Sequence, residues 1–328
     1  PMFMEDLAYF TLDTDREHQE VCEVAPRMDP DEEVYTACVL GLKDYMAKNG
    51  FTGVCLGLSG GIDSALVAAM AADAVGGGNV YGISMPSMYS SQGSKDDAAD
   101  LAANIGTHYD VQPIKPMYDA FQQQLALDGV SAENLQARIR GVIVMAYSNS
   151  KGVLALATGN KSELACGYST IYGDAVGGYA PIKDVFKTKV WQLARWRNSA
   201  AAAGMGVGGL HIVGNEAGDA GVQLPGGVMI PVNSITKAPS AELRPGQKDS
   251  DSLPQYELLD RVLEAYIEHA HGRADLLADG FDDETVSTVI RLVDRAEWKR
   301  RQYPLGPKVS ALAFGRDRRL PVTGAFRE

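Results

Sequence analysis

Six consecutive residues, Ser59-Gly60-Gly61-Ile62-Asp63-Ser64, set hydroxyls, glycines and a carboxylate in an order that suits a polyphosphate. Gly60 and Gly61 can reach positive φ and let phosphate oxygens approach the backbone. Ser59 and Ser64 can add hydroxyl donors, and Asp63 can hold a divalent cation on the phosphates. A side chain added at Gly60 is expected to fill the space those oxygens need while leaving the chain folded. The segment is not the common P-loop, which requires G-x-x-x-x-G-K-[ST], because no lysine follows these glycines. The plainer alternative is a tight turn that holds no ligand.

The flanking sequence says how such a loop is positioned. Phe51 to Leu58 is apolar with β-branched residues, which predicts a strand over 52–58. Ala65 to Ala72 is rich in good helix formers, which predicts a helix over 62–75 that stops at Gly76-Gly77-Gly78. A strand-to-helix turn aims backbone N–H groups and the positive end of the helix dipole at an anion. The alternation continues with strand 79–85, helix 94–105, strand 108–114, helices 117–127 and 134–148, strand 153–157 and helix 187–198. Ahead of it, Asp29-Pro30 predicts a capped helix start, and Val34, Cys38, Leu42 and Met46 run at helical spacing to a stop at Asn49-Gly50. Strands separated by helices predict an α/β fold: a doubly wound, mainly parallel sheet with helices on both faces. Such sheets bind ligands beyond the carboxyl ends of their strands, here the loops after Leu58, Met85 and Ala157.

Residues 1–29 are polar and read as an N-terminal arm or linker, leaving 30–328 as the folded domain. The stretch 199–231 is rich in glycine and alanine and reads as a flexible insertion or inter-subunit loop. Residues 240–251 are charged and turn-rich, which predicts a mobile loop. Helices over 255–269, 282–292 and 293–301 form a helical C-terminal section, and the tail from 303 reads as extended.

With 328 residues and 45% hydrophobic content the chain can bury a large core. Its formal charge of −12 argues against nucleic acid as a partner, although a few local cations suffice for a small anion. Cys22, Cys38, Cys55 and Cys166 make no C-x-x-C pair, so neither a zinc site nor a redox dithiol is expected. No signal peptide and no apolar run of membrane-spanning length are seen; the expectation is a reducing, cytoplasmic setting with no membrane partner.

The Ser-Gly-Gly-x-Asp-Ser run resembles the pyrophosphate loop of the ATP pyrophosphatase family, whose members cleave ATP between the α and β phosphates and leave AMP on a substrate oxygen. Further segments follow in order: Glu133 to Arg140, Thr158 to Glu163, Tyr172-Gly173-Asp174, Lys183 to Lys187, Pro239 to Leu243, and Lys299 to Gln302. Together they are similar to NAD synthetase, specifically the synthetase portion of the glutamine-dependent bacterial form, over about residues 30–320. The resemblance implies an adenine nucleotide alpha hydrolase-like fold. It also implies the ATP-dependent amidation of deamido-NAD to NAD: the nicotinate carboxylate is adenylated, pyrophosphate leaves, and ammonia displaces AMP.

The same resemblance assigns residues. Gly57, Leu58, Ser59, Gly60, Gly61, Ile62, Asp63 and Ser64 would hold ATP, with Ser84, Met85 and Thr158 at its adenosine. Asp63 and Glu163 would carry Mg²⁺, Lys187 would stabilise the leaving pyrophosphate, and Asp174 would orient or deprotonate the ammonia. Asn134, Arg138, Glu163, Tyr168, Ser169, Thr170, Ile171 and Lys299 would contact deamido-NAD. Asn134 and Arg138, four apart, share a helix face, whereas Arg140 is rotated away and reads equally as a surface residue. Arg300 or Arg301 could take the role of Lys299. The family also implies a homo-oligomer. Its glutamine-dependent members carry an amidase domain ahead of this region, so such a glutaminase domain is expected upstream, with direct use of ammonia the alternative. Two other readings share the loop: another amidotransferase synthetase of the ATP pyrophosphatase type, and an adenine-nucleotide-binding module without catalysis.

Overall fold

A computed structural model describes residues 25–203 and 228–324, together with 2, 3, 6, 7 and 9. Most of the expected N-terminal arm, and residues 204–227 of the expected insertion, lie outside the described residues. Helix α1 (Pro30–Asn49) begins where the sequence predicts: the Asp29 carboxylate accepts from Asp31 N at 2.8 Å and Glu32 N at 3.3 Å. Gly50 ends the helix in the left-handed conformation that its missing Cβ permits.

Four strands follow, β1 (Val54–Gly57), β2 (Val80–Ser84), β3 (His108–Val111) and β4 (Leu154–Ala155). They lie in the order β3-β2-β1-β4, and every pairing is parallel. Each is shorter than the span the sequence predicts. Beyond Ala155, for example, the chain leaves β1, and Leu156 bridges to Tyr179 instead. The pleat of β1 sends Val54 and Leu56 into one core, against α1, α2 (Ile62–Val75) and α7 (Lys187–Ala202). Cys55 points to the other face, where it packs with Ile83 and with Ile139 and Ile143 of α5 (Gly129–Lys151). Both faces are therefore dry, which is why β1 reads as a continuous apolar run. Helix α3 (Gln92–Ile105) joins the first layer, and α4 (Lys115–Leu125) lies against α5. Because the chain builds β1, β2 and β3 outward and then returns to place β4 on the far side of β1, the strand order reverses between β1 and β4. Their carboxyl ends open the crevice in which such sheets bind ligands.

The C-terminal part is helical, as expected, with different boundaries. Helix α9 (Tyr256–Leu263) passes into a π-turn over Glu264–Glu268, and α11 (Asp283–Arg295) runs through Val293 before Ala296 separates it from α12 (Glu297–Arg300). Val293 is buried with Leu259 and Leu263 in the second core, so packing carries α11 past the predicted break. Helices α6 (Lys161–Cys166), α8 (Val232–Thr236) and α10 (Arg273–Ala278) are too short to show a helical period in the sequence.

The tail after 303 is pinned rather than loose. Lys161 is fully buried, and its ammonium reaches Glu268 and Ser310 Oγ at 2.6 Å, the Leu312 carbonyl at 2.9 Å and Asp184 at 3.0 Å. Asp184 also accepts from the backbone of Val309 and Ser310 at 2.9 Å. Cys38, Cys55 and Cys166 are buried, and burial pushes each thiol up to about 12, away from thiolate chemistry at neutral pH. Among the described residues, no helix is long and apolar enough to cross a membrane.

Lys161→Met should test the pinning. It leaves the Asp184 and Glu268 carboxylates without their shared cation, so urea denaturation should show a loss of about 3–5 kcal/mol, as for a broken buried ion pair. A loss within about 0.5 kcal/mol, the range of an ordinary surface change, would contradict it.

Candidate active site

The loop between β1 and α2 is built by its own side chains. Ser64 Oγ donates to the Gly61 carbonyl at 3.0 Å and accepts from Ser59 N at 3.3 Å, while Gly61 N donates to Ser59 Oγ at 3.1 Å. Ser64 is buried, so its hydroxyl locks the loop instead of reaching outward. Only one of the two glycines takes positive φ: Gly60 at 77°, whereas Gly61 is extended at −78°. The reason at Gly60 also differs from the expectation. A Cβ there would lie 2.1 Å from the Ser94 carbonyl oxygen, so the glycine admits the backbone of α3. No side chain caps α2, and its first residues, Ile62 to Ser64, border the crevice.

Asp63, in the first turn of α2, meets two other elements. Its Oδ1 accepts from the Asn160 amide at 2.8 Å, and its Oδ2 binds the Lys187 ammonium. Asn160 is fully buried and caps α6 in a reciprocal box: Glu163 N donates to its Oδ1 at 3.0 Å, and Asn160 N donates to Glu163 Oε2 at 3.3 Å. Glu163 Oε1 lies 3.7 Å from the same Lys187 ammonium. Lys187 opens α7, whose first N–H groups are taken by Ser162 Oγ at 2.9 Å and, through Thr188 N, by Asp260 at 2.7 Å. Burial, then the charge of Asp63, pushes the Glu163 carboxyl up to about 8, with Lys187 acting against them. Burial alone would lower the Lys187 ammonium, but Asp63 and Glu163 together hold it above its usual range.

These groups line a cavity of about 620 Å³ at the carboxyl end of the sheet. Of the ATP residues named from the sequence, Gly57, Leu58, Ser59, Gly61, Ile62, Asp63, Ser64, Ser84, Met85 and Thr158 border it. Gly60 does not, being turned toward α3. Asn134, Glu163, Tyr168, Ser169, Thr170, Asp174 and Lys299 form the other wall. Asp174 accepts from Thr170 N at 2.7 Å, and the protein crowded around it raises its carboxyl. Asn134 accepts from Thr170 Oγ1 at 2.7 Å.

Arg138 and Ile171 are not brought into the cavity. Arg138 is exposed and donates to the Ile171 carbonyl at 3.3 Å. Asn134, Ala137, Gly141 and Val144 are the cavity-facing stripe of α5, and Arg138 falls just past the Asn134 edge. Arg140, on the opposite edge, does face the cavity and donates to the Met85 carbonyl at 3.0 Å. Burial lowers its guanidinium to about 10, against the pull of Glu242 and Asp174. Lys299 borders the cavity, but its ammonium is held by the Gly167 and Ser169 carbonyls at 2.7 Å. Arg300 and Arg301 bond elsewhere, to Glu297 and to backbone carbonyls of Ala165, Val293 and Leu320.

The expected mobile loop over 240–251 is instead a strap tied across the cavity. Glu242 accepts from Ser91 Oγ at 2.8 Å and Ser94 Oγ at 2.9 Å, from a backbone at φ 49° that non-glycine residues rarely adopt. Gln136 donates to the Leu243 carbonyl at 2.9 Å, and Asp249 accepts from Tyr256 at 3.0 Å. The sequence reading also missed Asn160 and Tyr303. Asn160 did leave a signal, Asn-x-x-Glu ahead of an apolar run. Tyr303 left none: its hydroxyl sits where a Cβ of Gly159 would be, 1.7 Å from that position, so only glycine fits at 159.

One of these glycine positions is testable by stability. Gly60→Ala should lower the unfolding free energy by at least about 1–3 kcal/mol, from the left-handed backbone and the Ser94 clash together. Thermal melts would check it, and an unchanged midpoint would contradict the packing described.

The chain is similar to known proteins. The family described as NAD synthase matches residues 34–303. The glutamine-dependent NAD(+) synthetase of Acinetobacter baylyi is 45% identical over 333 residues, which is 100% of this chain and 57% of that protein. That of Rhodobacter capsulatus is 48% identical over 311 residues, 93% of this chain and 53% of the relative. The chain thus spans about half the length of the curated relatives it matches. Among solved structures, a glutamine-dependent NAD+ synthetase from Acinetobacter baumannii in complex with ADP aligns at TM-score 0.57 with 43% identity, covering 92% of this chain and 51% of that one. An NH3-dependent NAD synthetase from Campylobacter jejuni aligns at TM-score 0.61 with 28% identity, covering 81% and 94%.

Proposed function

Starting from the fact that this chain belongs to the NAD synthase family, we propose that it amidates deamido-NAD to NAD at the cavity beside Ser59 to Ser64, consuming ATP and releasing AMP and pyrophosphate. The fold is the adenine nucleotide alpha hydrolase-like one of its structural neighbours. The observation that carries the reading is the meeting of Asp63, Glu163 and Lys187 in the crevice between β1 and β4. Two anions, a carboxylate and an α-phosphate, must approach each other, and a site of this charge can neutralise them.

In this reading the N–H groups of α2 and the Ser59 loop hold the pyrophosphate end of ATP, and Lys187 follows the charge that develops on it. Ser84, Met85 and Thr158 border the adenosine. A carboxylate oxygen of the nicotinate attacks the α-phosphorus, and the bond to the β-phosphate oxygen breaks. Ammonia then attacks the carboxyl carbon, AMP leaves, and Asp174, whose raised carboxyl favours holding a proton, takes one from the nitrogen. Asn134, Tyr168, Ser169 and Thr170 border the nicotinate. Arg140 is the cation proposed for the substrate, because it faces the cavity and Arg138 does not. Asp63 and Glu163 fit Mg²⁺: two carboxylates aimed at one positive charge are the oxygen donors this hard ion takes alongside substrate phosphates, and it would neutralise those phosphates.

The nitrogen supply, a glutaminase domain in the half of the relatives that this chain does not span, is part of the proposal. So are a homo-oligomer, which would cover Phe121, Leu125, Val130 and Val142, exposed on α4 and α5, and a cytoplasmic setting, which suits the free thiols of Cys38, Cys55 and Cys166.

The test is NAD formation from deamido-NAD, ATP and ammonium salt, with AMP and pyrophosphate released in equal amounts. Free ammonia is the nucleophile, so at subsaturating ammonium the rate should rise with pH until an enzyme group titrates. Glu163→Gln and Asp63→Asn should each cut turnover by roughly a hundredfold, the scale for one lost charge-stabilising group. ATP consumption without NAD would contradict the proposal, and near-normal turnover of Glu163→Gln would remove Glu163 from it.

A further inference from the structure

We propose that Lys187 is a resident counter-ion that closes the Asp63–Glu163 pair to divalent cations until a polyphosphate draws its ammonium away. The proposal rests on the reading of that pair as cation ligands and adds an order to its filling.

Asn160 ties down one oxygen of each carboxylate, Asp63 Oδ1 through its amide at 2.8 Å and Glu163 Oε2 through its backbone N–H at 3.3 Å. The remaining oxygens, Asp63 Oδ2 and Glu163 Oε1, both face the Lys187 ammonium. That side chain is only 2% exposed, and the rings of Tyr256 and Trp191 flank it at 5.4 and 5.9 Å. Asp249 is the third acidic group acting on it. The place between the two oxygens therefore already holds a positive charge in a water-poor setting. A second cation arriving there meets a repulsion far stronger than it would in bulk water.

The resident charge can also be moved. Among the described residues, Asp63 is the one acceptor within hydrogen-bond distance of the ammonium, since Glu163 at 3.7 Å lies beyond it. Lysine carries its charge on a flexible stem with rotatable donors. A polyphosphate seated on the Ser59 loop, directly beside Asp63, offers anionic oxygens on the cavity side. The ammonium can pass to those oxygens while a divalent cation enters between the carboxylates. Polyphosphate and cation then strengthen each other's binding, as any coupling between two sites must be reciprocal.

The test is Mn²⁺ binding in the absence of nucleotide, followed by electron paramagnetic resonance of the free ion. Wild type should bind it weakly. Lys187→Met and Lys187→Gln should bind at least about tenfold tighter, since no resident charge opposes the ion. Adding Asp63→Asn should abolish the gain, and Lys187→Arg, which keeps the charge, should stay closed. Lys187→Gln, near in shape and able to bond Asp63, guards against a folding defect, which circular dichroism would reveal. A tight Asp63-dependent site in wild type alone would overturn the proposal without any variant. So would a folded Lys187→Gln that binds no tighter. A separate arm, wild type with a non-hydrolysable ATP analogue, tests the underlying reading. If Asp63→Asn and Glu163→Gln leave its bound Mn²⁺ unchanged, the pair is not a cation site and both readings fall. If they reduce it while Lys187→Gln gains nothing, the counter-ion proposal falls alone.

Discussion

One buried ammonium, that of Lys187, holds the site together. It contacts Asp63 from the first turn of α2 and faces Glu163 from α6, while its own backbone opens α7. Three elements far apart in sequence meet at one charge in the crevice where strand order reverses. Losing the ammonium would leave two carboxylates with one amide between them, an uncompensated arrangement of the kind that costs several kcal/mol. The surrounding structure can be read as what keeps those elements in place. Asp260 and Ser162 hold the start of α7, and the Lys161 network holds α6 to the π-turn and the tail. The two serines of the loop hold the entry to α2.

The same region holds two residues in left-handed backbone for the sake of a close contact. Gly60 is left-handed so that Ser94 can approach, and Glu242 is left-handed so that its carboxylate can reach Ser91 and Ser94. Both conformations converge on the start of α3, which joins the Ser59 loop to the strap over the cavity. Glu242 is held by the Ser91 and Ser94 hydroxyls and the Ser91 N–H, nearer the surface than the buried network around Lys161. The site thus has a floor of buried ion pairs and a covering tied by hydrogen bonds nearer the surface.

Much of the fold was legible because its signals are local. The Asp29-Pro30 cap, the dry run of β1 and the glycines after α1 and α2 act within a few residues, and all four strands lie within their predicted spans. Most of the candidate site was legible through a resemblance spread over many segments. What the sequence did not carry was orientation. The spacing of Asn134 and Arg138 placed both on one face of α5, but which edge of that face meets the cavity depends on how the helix rolls against the sheet. Arg140 therefore enters where Arg138 was expected. Lys299 reads as a spare cation until the Gly167 and Ser169 carbonyls are seen around it. The strap over 240–251 reads as mobile because its partners, Ser91, Ser94 and Gln136, are more than a hundred residues away. Short helices such as α6 and the fit of Tyr303 onto Gly159 are tertiary outcomes with no period to read.

In the proposed reaction a carboxylate attacks phosphorus in this cavity before nitrogen arrives. Asp63, Glu163 and Lys187 would serve the first event, and Asp174 the second. The most direct measurement follows an oxygen atom. Deamido-NAD labelled with heavy oxygen in its nicotinate carboxylate is turned over with ATP and ammonium, and the products are weighed by mass spectrometry. Adenylation at this site predicts one labelled oxygen in each AMP and none in pyrophosphate. Label in pyrophosphate, or AMP formed with no label, would contradict the account.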